Sequence, residues 1–263
     1  MSSNDSIKKT IVVALSLCLV CSVFVAAAAV GLKPIQKANK DLDRKQNILS
    51  AADMLDPNKT VDEIFKSIEM RLVNISTGKF ATEEELSTSG IDLATYEQNV
   101  AAKDPTLSIA LAAEDDIASI KRRAKYSAVY IVKSGDDIER IILPVKGYGL
   151  WSTMYGFMAL KNDFNTVIGF GFYDQGETPG LGGEVDNPNW KALWKGKTVY
   201  NESGEAVLGL VKGSVDSADP LATHKIDGLS GATLTSNGVT NLVHYWLGEQ
   251  GFGPFLSNLK GEG

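Results

Sequence analysis

Residues 126–145 read YSAVYIVKSGDDIERIILPV. Two runs rich in β-branched residues, Tyr126–Lys133 and Ile138–Val145, flank the polar turn Ser134-Gly-Asp-Asp137, the pattern of a β-hairpin. Downstream, Trp151–Leu160 and Thr166–Tyr173 repeat it across the turn KNDFN, and Thr198–Tyr200 with Ala206–Lys212 suggest a third hairpin across Asn201–Gly204. Repeated turns of this kind imply an antiparallel sheet. After them, Val239, Leu242, Val243, Trp246 and Leu247 recur at helical spacing with Gly248 as the stop, and Thr235 or Ser236 is the expected N-cap. Upstream, Thr60-Val-Asp-Glu63 matches a capping box, and Val61, Ile64, Phe65, Ile68 and Leu72 form one apolar stripe, so a helix is expected there. Residues 74–125 are rich in Ser, Thr and Glu and read as a helical and irregular lobe. No internal repeat is visible.

At 263 residues and 44% hydrophobic, the chain is long enough to bury a sizeable core. Its formal charge of -6 argues against a nucleic-acid surface, which needs clustered Lys and Arg. Residues 11–32, IVVALSLCLVCSVFVAAAAVGL, carry no charge and as a helix span about 33 Å, enough for a hydrocarbon core. Lys8, Lys9 and the alanines 26–29 also fit a cleaved signal peptide, but the apolar run exceeds the usual h-region, so a retained anchor is the reading. Val20 before Cys21 speaks against lipidation there. Beyond Pro34 the residues Ile35, Ala38, Leu42, Leu49 and Ala52 continue a helical spacing, a stalk bent at the proline and ended by Asp56-Pro57-Asn58. Lys33, Lys37, Lys40, Arg44 and Lys45 follow the anchor and by count would keep the large domain cytoplasmic. Long domains translocate regardless, which leaves the membrane side open.

Several chemistries are excluded by what is missing. Both cysteines, Cys18 and Cys21, lie in the anchor, so the remainder has no disulfide, thiolate metal site or Cys nucleophile. His224 and His244 are the only histidines, and His244 falls off the apolar stripe of its helix and reads as surface. A His-based metal site or a Ser-His-Asp triad therefore has little to draw on. Gly196-Lys-Thr198 lacks the upstream glycine of a phosphate loop, and Gly147-Tyr-Gly149 is followed by Ser152 where a dinucleotide fingerprint needs Gly. No catalytic residue and no metal ligand is assigned.

Two stretches remain. Gly176-Glu-Thr-Pro-Gly-Leu-Gly-Gly-Glu184 follows a strand, and its glycines let backbone approach a flat ligand closely; a plain turn reads the same way. Beside it, Gly149-Leu-Trp-Ser-Thr153 fits sheet core equally well. Asp227-Gly-Leu-Ser-Gly-Ala-Thr233 precedes a helix, with Ser230, Thr233 and Thr235 approachable beside the small residues Gly228, Gly231 and Ala232. A helix N-terminus just beyond favours a phosphate there without any lysine. A capped loop entering a helix fits the same residues.

Asp227-Gly-Leu-Ser-Gly-Ala-Thr233 resembles the flavinylation motif of covalent FMN-binding domains, and Glu177-Thr-Pro-Gly-Leu-Gly182 resembles their second hallmark. With one N-terminal membrane helix ahead of both, nearly the whole chain is similar to the C subunits of sodium-translocating NADH:quinone oxidoreductases. The resemblance implies an α+β fold with a mainly antiparallel sheet and flanking helices. It implies a cytoplasmic segment at 1–10, a transmembrane helix at 11–32, a stalk and lobe at 33–125 and an FMN-binding domain at 126–263. It further implies covalent FMN on Thr233 through a phosphoester. Glu177, Thr178, Gly180, Leu181 and Gly182, with Ser230, Gly231, Ala232 and Thr235, would surround the cofactor. Asp227, Ser230, Gly231, Ala232 and Thr233 would be read by a flavin transferase. The partners would be the other membrane subunits of the complex, and the location a bacterial inner membrane with the large domain periplasmic. Residues 11–32 hold no carboxylate that could bind sodium, so ion passage would belong to other subunits. Two alternatives stand beside this reading: the flavoprotein subunit of an Rnf-type ferredoxin:NAD oxidoreductase, and a tethered module without cofactor.

Overall fold

The computed structural model describes residues 6–261, so the first part of the segment expected at 1–10 lies outside the described residues. The chain falls into two units, one ending at Arg44 and one starting at Lys45. Helix α1, Ile7–Ala51, runs through Pro34 without interruption. Among the described residues it is the one helix long and apolar enough to cross a membrane, and its apolar side chains from Ile11 to Leu32 are exposed. It stops at Ala51, earlier than Asp56-Pro57-Asn58, because Asp53 turns left-handed (φ 55) and Met54 N–H donates back to the Leu49 carbonyl at 2.9 Å.

In the second unit the capping box is present: Thr60 Oγ1 accepts from Glu63 N–H and Glu63 accepts from Thr60 N–H. The helix it starts, α2, is only Val61–Phe65. Ile68 and Leu72, expected on its stripe, instead lie in strand β1, Ile68–Asn74, paired antiparallel from Ile68↔Val132 to Asn74↔Tyr126. A spacing of four serves a strand face as well as a helix face, so the pattern is ambiguous, and pairing with a distant strand decides it.

The elements that follow are β2 (Lys79–Phe80), α3 (Glu83–Thr88), α4 (Gln98–Ala101), β3 (Ser108–Ala110), β4 (Arg122–Ala124), β5 (Tyr126–Ser134), β6 (Asp137–Tyr148), β7 (Thr153–Lys161) and β8 (Val167–Asp174). Helix α5 (Pro188–Ala192), strands β9 (Gly209–Leu210) and β10 (Lys225–Ile226), and helices α6 (Thr233–Leu247) and α7 (Gly253–Gly261) complete the chain. The main sheet has the order β2-β1-β5-β6-β7-β8, antiparallel throughout. The segment read as stalk and lobe thus contributes two strands to the sheet as well as short helices.

Both faces of the sheet are covered. Val129, Ile131, Ile141, Leu143, Met158 and Leu160 pack with Val239, Leu242, Val243 and Trp246 of α6 and with Phe255 of α7. On the other face Tyr130, Ile142, Phe157 and Ala159 meet Ile48 and Leu49 at the end of α1, with Phe65 of α2 packed against them. Alternation along each strand therefore feeds two cores.

The third expected hairpin forms only next to its turn: Tyr200 and Ala206 bridge antiparallel, Asn201 N–H donates to the Glu205 carbonyl at 3.0 Å and Val207 N–H to the Val199 carbonyl at 2.9 Å, while β9 beyond them pairs parallel with β10. The second arm is drawn away by packing on α6, where a Cβ at Gly209 would lie 2.7 Å from Thr240 Cγ2. His244, expected at the surface, is half-buried in the same region, with its Nε2 enclosed.

Candidate functional site

The sheet places three segments at one end: the β6–β7 connection, the loop after β8, and the first turn of α6. Gly238 lets α6 approach, since a Cβ there would come 2.5 Å from the Tyr148 carbonyl at the end of β6. Helix α6 starts at Thr233 with Ala232 as its N-cap, upstream of both expected caps. Thr235 and Ser236 are not caps because their hydroxyls are engaged elsewhere: Thr235 donates to Glu177 at 2.7 Å, and Ser236 Oγ accepts from Leu229 N–H at 3.0 Å. Ala232 supplies no side-chain cap and the first turn holds no acidic residue. The first hydrogen bond of this turn runs from Ser236 N–H to the Ala232 carbonyl, so the N–H groups before it have no helical acceptor. Thr233, Ser230 and Gly231 are exposed beside them.

The loop after β8 is built as a tight turn. Leu181 N–H donates to the Thr178 carbonyl at 3.1 Å, with Pro179 and Gly180 between them, and Gly180 holds φ +76 as a type II turn requires. Gly183 N–H closes on the same carbonyl at 2.9 Å. Leu181 is thereby presented outward next to the SGAT loop, where a Cβ on Gly231 would lie 3.0 Å from Leu181 Cδ2.

Glu177 joins the three segments. Its Oε1 accepts from the backbone N–H groups of Leu150 (3.1 Å), Trp151 (2.9 Å) and Ser152 (3.1 Å), and its Oε2 accepts from Leu150 N–H (3.1 Å) and the Thr235 hydroxyl. Two glycines make room, since a Cβ at 149 would meet Oε1 at 2.6 Å and one at 182 would meet Thr235 Oγ1 at 2.6 Å. Burial by itself pushes this carboxyl up, but the hydrogen bonds from Thr235, Trp151, Leu150 and Ser152 outweigh it and hold the group below its ordinary value of 4.5. A depressed folded value means that the unfolded chain binds more protons in acid. The stabilisation is then full above about pH 4.5 and is lost as pH falls through the folded value. Urea unfolding from about pH 6 down to about pH 3 should show acid sensitivity that Glu177→Gln reduces; an identical profile in the variant rules this linkage out.

Of the residues singled out in the sequence, Glu177, Gly182 and Thr235 are in contact, and Leu181 lies beside Gly231. Asp227 turns away: its Oδ1 accepts from Val215 N–H at 2.8 Å and its backbone carbonyl from Trp190 Nε1 at 3.0 Å. Sequence reading leaves Leu150, Trp151 and Ser152 open between sheet core and site; what it misses is that their backbone N–H groups converge on Glu177, while Ser152 Oγ accepts from Gly176 N–H at 2.7 Å. The signal for that convergence is Gly149 just ahead of them. On the segments joined through Glu177 the structure exposes Leu150, Trp151, Leu181 and Leu234, with Trp151 at 66% and Leu234 at 59%. Uncapped N–H groups, an exposed hydroxyl and nearby apolar side chains fit a ligand with a phosphate at one end and a flat ring at the other.

Comparison with known proteins agrees with that chemistry. The FMN-binding domain family matches residues 149–248, from the glycine beside Glu177 to the glycine that ends α6. Over its full length the chain is 54% identical to the C subunit of the Na(+)-translocating NADH-quinone reductase of Pseudomonas aeruginosa, covering 100% of both chains. The crystal structure of Shewanella oneidensis NqrC superposes with a TM-score of 0.75 at 35% identity, covering 85% of this chain and 99% of that one. That of the corresponding Na(+)-translocating NADH-quinone reductase protein from Parabacteroides distasonis gives 0.64 at 27% identity, covering 86% and 97%.

Proposed function

Because the chain belongs to the family of Na(+)-translocating NADH-quinone reductase C subunits, we propose that it carries FMN as a phosphoester on Thr233 and relays electrons within a sodium-exporting complex. It is a flavin electron-transfer subunit with a single N-terminal membrane helix. The observation that carries the finer reading is Thr233 itself, the exposed first residue of an uncapped helix, at the end of the SGAT sequence and inside the span matched by the FMN-binding family. The N–H groups of the first turn and the positive end of the α6 dipole would hold the phosphate. Trp151, Leu150, Leu181 and Leu234 would hold the ring, with Thr178 and Gly180 shaping the turn that presents Leu181. When bound, FMN supplies the one-electron chemistry, and the protein's share is placement and electrostatics.

A flavin transferase would read the motif from the folded surface, where Ser230, Gly231 and Thr233 are exposed; Ala232 is buried and Asp227 holds the neighbouring loop. We place the second unit on the periplasmic side of a bacterial inner membrane, among the other subunits of the complex. The full-length likeness to quinone-reductase subunits supports this complex over an Rnf-type one, and the FMN-binding match speaks against a cofactor-free module. Intact mass after expression with a flavin transferase tests the proposal: the chain should gain FMN less water, mapped to Thr233. An unmodified chain beside a flavinylated control substrate would overturn it. A reporter after residue 263 active only in the cytoplasm would reverse the orientation.

A further inference from the structure

Among the described residues Glu177 is the one buried carboxylate. Its hydrogen-bond donors are three consecutive backbone N–H groups and one hydroxyl, with no Lys or Arg among them. A buried charge without a counter-cation is costly, and a simple strut between loops does not require one. The slot is shaped for it nonetheless, between Gly149 and Gly182, neither of which leaves room for a Cβ.

Each partner belongs to a segment that presents something outward. The 150–152 amides carry exposed Leu150 and Trp151. The turn that follows Glu177 carries Leu181, and Thr235 lies in the helical turn that carries Thr233 and Leu234. Three consecutive amides turned to one point also form a nest able to bind an anion, and the protein's own carboxylate fills it.

We propose that Glu177 is a positioning residue: its ionised carboxylate sets the spacing of Trp151 and Leu181 about Thr233, and by filling the amide nest it leaves the α6 N-terminus as the place for phosphate. This rests on the assignment of FMN to Thr233. The carboxylate also places a fixed negative charge behind the site, which opposes reduction of a ring held in front of it.

The test uses the full chain in detergent, with and without co-expressed flavin transferase, as wild type, Glu177→Ala, Glu177→Gln and Thr235→Val. Without flavin, amide exchange at Leu150–Ser152 should speed up about tenfold or more in Glu177→Ala, because the acceptor for all three is gone, and Glu177→Gln should restore much of the protection. With flavin, Glu177→Ala should keep the mass increase on Thr233 but show lower flavin fluorescence anisotropy than wild type. Glu177→Gln should hold the ring yet raise the midpoint potential, since shape is retained and charge is lost. Unchanged exchange in Glu177→Ala, or a Gln variant identical to wild type in potential, overturns the proposal. Should Glu177→Ala not fold, Thr235→Val decides: lower anisotropy supports the clamp and wild-type anisotropy refutes it. A wild-type chain that takes up no flavin defeats the FMN assignment instead, while amide exchange still reads the clamp.

Discussion

Thr233→Ala, produced with a flavin transferase, should fold as the wild type does and carry no flavin that survives denaturation. The hydroxyl removed is exposed on the first residue of α6 and holds no other part of the fold in place. Alanine is the best helix former, so the change should alter stability by no more than about 0.5 kcal/mol. Chemistry is lost entirely because alanine has no oxygen to esterify. Gel fluorescence after boiling in detergent reads the label, and urea unfolding reads the fold. Label retained on Ser230 or Thr235 in this variant would move the attachment point and sink the assignment. Ser236→Ala is the contrasting control. Its buried oxygen accepts from Leu229 N–H, so its loss strands a buried donor at about 1–3 kcal/mol, a cost in stability where Thr233→Ala has a cost in chemistry.

The largest effect on stability is expected at Trp246. The ring is 1% exposed, its Nε1 donates to the Lys146 carbonyl at 2.7 Å, and it packs against Tyr245 and Phe252 at centroid distances of 5.4 and 5.5 Å. It therefore fastens α6 to β6 by both apolar area and a hydrogen bond. Trp246→Ala should cost about 3–5 kcal/mol, and at about 2–4 °C per kcal/mol for a domain of this size the melting temperature should fall by roughly 6–20 °C. Trp151→Ala removes the same side chain from the surface and should leave the melting temperature nearly unchanged. Its effect should appear in flavin anisotropy instead. Equal thermal losses in the two variants would show that burial is not what distinguishes them.

The comparison of these two tryptophans also indicates what sequence can convey. Trp246 is legible because it recurs with Val239, Leu242 and Val243 at helical spacing, a local pattern that local physics obeys. The hairpin 126–145 is legible for the same reason, its turn and alternating strands being neighbours along the chain. Trp151 stands in a stretch that fits core and site alike, and only the neighbours brought to it by β6 and β8 separate the two. Ile68 and Leu72 mislead differently. Their spacing satisfies a helix and a strand, and the partner that decides, β5, lies far along the chain. Thr235 and Ser236 are good caps by residue type, yet buried acceptor and donor groups elsewhere claim their hydroxyls first.

By itself, then, the amino-acid order determined the long apolar N-terminal helix, the first two antiparallel hairpins, α6 and the two motifs inside the span that the FMN-binding family matches. These are properties of consecutive residues, read through period, length and residue type. Tertiary structure alone decided that Glu177 faces three amides and Thr235 rather than solvent, that Asp227 steadies a different loop, and that Thr233 opens a helix whose N-terminus lacks a side-chain cap. The physical reason is that a hydrogen bond joins whatever the fold brings within about 3 Å. In this site most of the donors belong to the backbone, which is the same at every residue but proline and so leaves no mark in the sequence.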